Sequence, residues 1–289
     1  NHSFPEALLS WDFFHLPLAD RKLSSIEDYR TRAVIRATRL IRPYCPIFIA
    51  VSAASPLTWE LVDGEPRTVL TDCDSQRLLA FPNPADLDVA ELYASHRRYL
   101  EISYDLVRRG VRFGANNWTP VRARSDVDPV RRNILATSDQ LRELYRRGIY
   151  ASGEHGSLAE AERDLIVENL CARVDLAMNR VEVRTDEGGD SFELSVGKIL
   201  LKELLMLRIY GEPELGAAYA YDTADIAAVR SDEIEAARLG LDAVVTRPLG
   251  GGTAPVRTLL GELLDDLDPL AEGLDCRGAL EPLREHAGD

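Results

Sequence analysis

Asn179-Arg180-Val181-Glu182-Val183-Arg184-Thr185-Asp186 is the stretch on which the reading of the whole chain turns. Val181 and Val183 alternate with Arg180, Glu182 and Arg184, so a strand through them sets the valines on one face and three charges on the other. One face can pack against a core. The other resists burial, and its carboxylate between two guanidinium groups is a donor set suited to a metal ion beside phosphate oxygens. The same pattern describes an amphipathic strand whose charged face is solvated or cross-paired, and the octapeptide alone favours that plainer reading.

Composition narrows the classes. At 289 residues and 45% hydrophobic, the chain can bury one large core or two small ones. No repeat, low-complexity tract or linker divides it, so residues 1–289 are expected to form a single domain. A net charge of −14 opposes nonspecific binding to nucleic acid or an anionic membrane, and any polyanion site must therefore be local. The longest apolar run, Cys45 to Leu57, is interrupted by Pro46, Ser52 and Pro56 and is too short to span a bilayer. Cys45, Cys73, Cys171 and Cys276 are widely separated, without a CxxC pair or clustered histidines, which fits a reduced, cytoplasmic setting and no zinc. Asn1 is not an ordinary translation start, and further residues upstream are an expectation.

Helical spacing covers residues 26–41, with Pro43 marking the end, and PIFIAVSAASP (46–56) reads as a buried strand or a short buried helix. Residues 57–88, with a turn at Asp63-Gly64, read as a long loop of the kind that binds something. Helices are expected over 90–109 closed by Gly110, over 138–147 from a Ser138 cap, and from the capping box Ser157-Glu160 to about Ala177. Further helices are expected over 196–210, 231–240 and 256–274, and Gly250-Gly251-Gly252 reads as a turn because no GK[ST] follows it. Asn116 to Arg122 reads as a strand that places Trp118, Pro120 and Arg122 on one face. The fold class is α+β, helices covering a mainly antiparallel sheet.

Several segments, in order, resemble the glutamate–cysteine ligase superfamily with its carboxylate–amine ligases. NRVEVRTD (179–186) is similar to the family's [VI]E[VL]R-x-x-D strand, and WTPVR (118–122) to the aromatic-x-x-[IV]R segment before it. SAASP (52–56) resembles its ASP turn, Ser75-Gln76-Arg77 its Ser-x-Arg, and AARLGLDA (236–243) its A-x-R-x-GL-x-A stretch. NHSFPEA (1–7) resembles the continuation of a His-x-Asn-x-Ser-Phe-Pro strand.

The resemblance implies a glutamine-synthetase-like fold, a curved antiparallel sheet whose concave face holds ATP, two or more Mg2+ ions and the acid substrate. It implies an ATP-dependent ligase that phosphorylates a glutamate-like carboxylate and lets a small amine such as cysteine displace phosphate, giving a γ-glutamyl amide. By matching, Glu182 is the metal ligand, Arg184 and Arg122 are the catalytic arginines, and Arg77, Ser75 and Trp118 bind substrate. The family's glutamate-rich first strand has no counterpart, so an upstream segment or partner chain is expected to complete the metal site. The alternative is a catalytically inactive binding or regulatory relative. Asp232 and Ile234 also replace the family's usual Asn and Trp before Arg238.

Overall fold

The computed structural model describes residues 2–5, 34–54, 56–71, 73–75, 90–109, 121–123, 134, 137–143, 157–172, 180–186, 191–217, 219 and 221–288. Their elements are β1 (His2–Pro5), α1 (Arg36–Ile41), α2 (Cys45–Ser52), β2 (Leu57–Val62), β3 (Glu65–Leu70), α3 (His96–Arg108), β4 (Val121–Ala123), α4 (Leu158–Ala172) and β5 (Arg180–Val183). They continue with α5 (Phe192–Gly211), α6 (Thr223–Leu239), β6 (Val244–Thr246), β7 (Thr253–Pro255), α7 (Val256–Gly273) and α8 (Glu281–Gly288). The class is α+β, richer in helix than expected. Every strand pairing among the described residues is antiparallel, in a three-stranded sheet ordered β1-β5-β4 and two hairpins, β2-β3 and β6-β7.

Pro43 does not end the helical run. It lies in a 3-10 turn, Arg42–Tyr44, whose αR backbone leads from α1 into α2. Pro43 and Pro46 each occupy a first-turn position, where the missing N–H costs nothing. The open choice over 46–56 resolves as helix, and every residue of α2 is buried, as a segment apolar all round requires.

The expected long loop contains a hairpin instead. Asp63 and Gly64, at φ 56° and 83°, make the tight turn whose left-handed residues match strand twist, and β2 and β3 pair on either side of it. Leu57, Leu61 and Leu70 stay exposed on this hairpin, so burial does not drive its alternation. Similar corrections apply to three helix starts. The 90–109 helix splits into a 3-10 turn, Ala90–Tyr93, and α3, because the Ser95 hydroxyl accepts the Arg98 N–H at 3.1 Å and begins a new helix. Ser138 lies within the helical residues 137–143, its hydroxyl 2.7 Å from the Ile134 carbonyl. α6 begins eight residues before Ser231, at a capping box in which Asp222 and Asp225 each bind the other's backbone N–H. Ser157 does cap α4, accepting from Glu160 N at 3.1 Å, and Gly110 lies outside the described residues.

The main core gathers α1, α2, the valines of β5, and one stripe each of α5 (Leu201, Leu204, Leu205, Ile209) and α7 (Leu260, Leu263, Leu264, Leu267). A satellite cluster joins α3 to α4 through Leu100, Tyr104, Ile166 and Val167. Arg42, fully buried, forks onto the Glu233 carboxylate, with Nη2 to Oε2 at 2.9 Å, and so locks the α1–α2 junction to α6. No described helix is long and apolar enough to cross a membrane. The glycine triplet is the β6–β7 hairpin turn, with all three glycines at positive φ.

Gly240 ends α6 at φ 53° and ψ −132°, a conformation that only glycine adopts readily. A Cβ there would lie 2.6 Å from Asp74 Oδ2. Gly240→Ala is expected to lower unfolding stability by about 1–3 kcal/mol, measured by urea titration; an unchanged midpoint and slope would contradict this account.

Candidate active site

β5 is the centre of its sheet. Glu182 pairs with Ser3 of β1 on one side and with Arg122 of β4 on the other, while Val183 stands opposite His2 and Val121. Val181 and Val183 are completely buried, as the alternation requires. The register therefore places Arg122 directly across from Glu182, which brings two of the sequence-derived site positions together. His2–Pro5 is a strand, as its resemblance implied. Arg184, half-buried, follows at the exit of β5. Arg77 and Trp118 lie outside the described residues, and Ser75 is described and buried.

Beyond Arg184 the chain reaches a polar knot set in apolar surroundings. Asp186 Oδ1 accepts from Lys202 Nζ at 2.5 Å, from Ser52 Oγ at 3.2 Å and from Thr185 Oγ1 at 3.2 Å. Lys202, on α5, is 1% exposed; it also donates to the Lys198 carbonyl at 3.2 Å and lies 5.0 Å from the centre of the Phe48 ring. Burial pushes the Lys202 ammonium pKa down, and the Asp186 carboxylate pulls it back up. Sequence reasoning missed this lysine. Its signal was present, since Lys198 and Lys202 are the charges one turn apart inside the apolar run LSVGKILLKELLMLRIY.

Backbone bonds fix the Ser75 segment. Ser75 N donates to the Ala237 carbonyl at 2.7 Å and Asp74 N to that of Arg238 at 3.1 Å, capping the last turn of α6. Thr71 N and Oγ1 both reach the Pro56 carbonyl at 2.7 Å, so the foot of the β2–β3 hairpin is tied to the same place. Residues far apart in sequence thus meet in pairs, Ser52 with Asp186 and Ser75 with Ala237. α2 connects the pairs, because the Ala50 carbonyl and Asp74 Oδ2 both border Gly240.

Among the described residues no group of three or more His, Cys, Asp or Glu side chains could hold a metal ion. Glu182 is placed by register alone, so these residues do not assemble a metal centre. A cavity of about 150 Å³ lined by Tyr44, Ile47, Arg247, Leu259, Glu262 and Asp266 shares no residue with the β5 constellation.

The family model described as Glutamate-cysteine ligase family 2 (GCS2) matches residues 25–289. The chain belongs to glutamate–cysteine ligase family 2. No curated protein and no solved structure matches it. The family match takes in SAASP, Ser75 to Arg77, WTPVR, NRVEVRTD and AARLGLDA, the segments that the fold ties together around β5 among them. Membership of the glutamate–cysteine ligase family makes this a ligase-type chain.

Removing the Asp186 carboxylate alone would leave the Lys202 ammonium buried without its countercharge. Asp186→Ala is expected to cost roughly 3 kcal/mol or more, and adding Lys202→Met should restore most of it, since an apolar side chain of similar length needs no partner. Denaturant unfolding of the single and double variants checks this; equal stabilities for the two would refute it.

Proposed function

We propose that this chain is the catalytic part of an ATP- and Mg2+-dependent carboxylate–amine ligase of the glutamate–cysteine ligase type. It joins a glutamate-like acid to a small amine through an acyl phosphate and acts in the cytoplasm. The observation that carries this reading is the register of Glu182 against Arg122, with Arg184 next along the chain. In phosphoryl transfer the protein contributes mainly position and charge, because the transferring group spreads negative charge over its oxygens.

In this reading Arg184 and Arg122 neutralise that charge, Arg77 holds a carboxylate of the acid substrate, and Ser75 and Trp118 bound the pocket. Glu182 is the carboxylate that this chain offers to Mg2+, whose chemistry is the screening of phosphate charge. An upstream segment or a partner chain supplies the remaining ligands. The β1-β5-β4 sheet is then part of the curved sheet of a glutamine-synthetase-like fold.

The test is ADP release by the full-length protein with ATP, Mg2+, glutamate and a panel of small amines, cysteine first. Turnover is expected to require both acid and amine. Glu182→Ala should lower kcat by about a hundredfold or more, as removal of a group that acts on developing charge does, and undiminished turnover in that variant would sink the assignment. Arg77→Ala should raise KM for the acid by roughly tenfold or more while changing kcat less, the pattern of lost substrate binding; an unchanged KM would count against its role. ATP binding with no ADP release from any acid and amine pair would favour the inactive relative.

A further inference from the structure

The Asp186 knot has no place in the proposed chemistry, yet it sits two residues beyond Arg184. Lys202 is 1% exposed, so it cannot touch a substrate. Its geometry suits another task. One oxygen of Asp186 collects donors from three parts of the chain: the last residue of α2, the exit of β5, and the middle of α5. α2 is wholly buried and α5 runs through twenty residues, so both are rigid references. The exit of β5 has no regular structure of its own at 184–186 and takes its position from them.

We propose that Lys202 and Asp186 are positioning residues for the ligase reaction, a buried ion pair that fixes the charged face of β5, Glu182 to Arg184, against α2 and α5. The inference rests on the ligase reading above. Stability alone does not account for the pair, because a well-packed apolar replacement of a buried ion pair is often as stable. What an apolar pair cannot reproduce is direction. Three donors converging on one oxygen determine where the chain after β5 goes, in the way that outer groups orient the residues that act on a ligand.

The experiment uses the full-length protein carrying Asp186→Ala with Lys202→Met, and reads melting temperature, amide hydrogen exchange over residues 180–186, and the kinetics of ADP release. A melting temperature near wild type, exchange faster by about tenfold or more over 180–186, and kcat lower by about tenfold or more are expected. KM for ATP and for the acid should stay within about twofold, because binding groups are untouched. Wild-type exchange over 180–186, or wild-type kcat, in a folded double variant overturns the proposal. Should the double variant not fold, Ser52→Ala removes one of the donors, and it must raise exchange over 180–186 for the proposal to stand. A wild-type protein that releases no ADP defeats the ligase reading, and the exchange measurement then decides the positioning role by itself.

Discussion

The hydrogen bonds onto Asp186 Oδ1 are the constraint on which the surroundings of β5 depend. A largely buried carboxylate and a buried ammonium are held together, and each would be costly there without the other. The remaining donors on Asp186 come from hydroxyls, one at the end of α2 and one from the preceding residue. The central strand is thereby secured twice, by the burial of Val181 and Val183 beneath it and by the ion pair at its exit. Burial sets which face looks outward; the ion pair sets where the strand ends.

A second buried ion pair, Arg42 with Glu233, does a similar job for α6. α6 in turn presents the carbonyls of Ala237 and Arg238 to the Asp74 and Ser75 amides. Asp74 and Ser75 are thus held by main-chain bonds to the end of α6, and Gly240 is required where Asp74 passes close to that end. Positioning therefore passes from a fork of Arg42 at one helix junction to a loop on the far side of α6.

Legibility in the sequence followed physical cause. β5 was readable because one of its faces is buried, which forces a strict alternation, and α7 because four leucines recur at helical spacing on its core side. The β2–β3 hairpin was not read as strands because the Pro, Asp and Gly content of 57–88 outweighs its apolar residues, of which Leu57, Leu61 and Leu70 are exposed and enforce no alternation. The start of α6 was misplaced because aspartates form its capping box where glutamate or glutamine is the usual third member. Pro43 was read as a stop because a first-turn proline and a terminating proline look alike until the next helix is seen. Of the site, the Arg122 and Glu182 strands were readable as strands, while the register that sets the two residues opposite each other was not. Lys202 was missed although its charge stands inside an apolar run, because nothing in the spacing shows that the carboxylate beyond β5 comes to meet it.

The order of the three-stranded sheet bears on how the chain reaches its native state. β5 lies between β4, some sixty residues earlier, and β1, which precedes β4 by more than a hundred. Among the described residues neither outer strand has the other as a neighbour, so both described pairings wait for β5, and each closes a long loop. The helices α5 to α7 follow β5 in the chain and close the main core against α1 and α2, which are made long before them. The three-stranded sheet thus depends on its central strand, the latest of the three to be made.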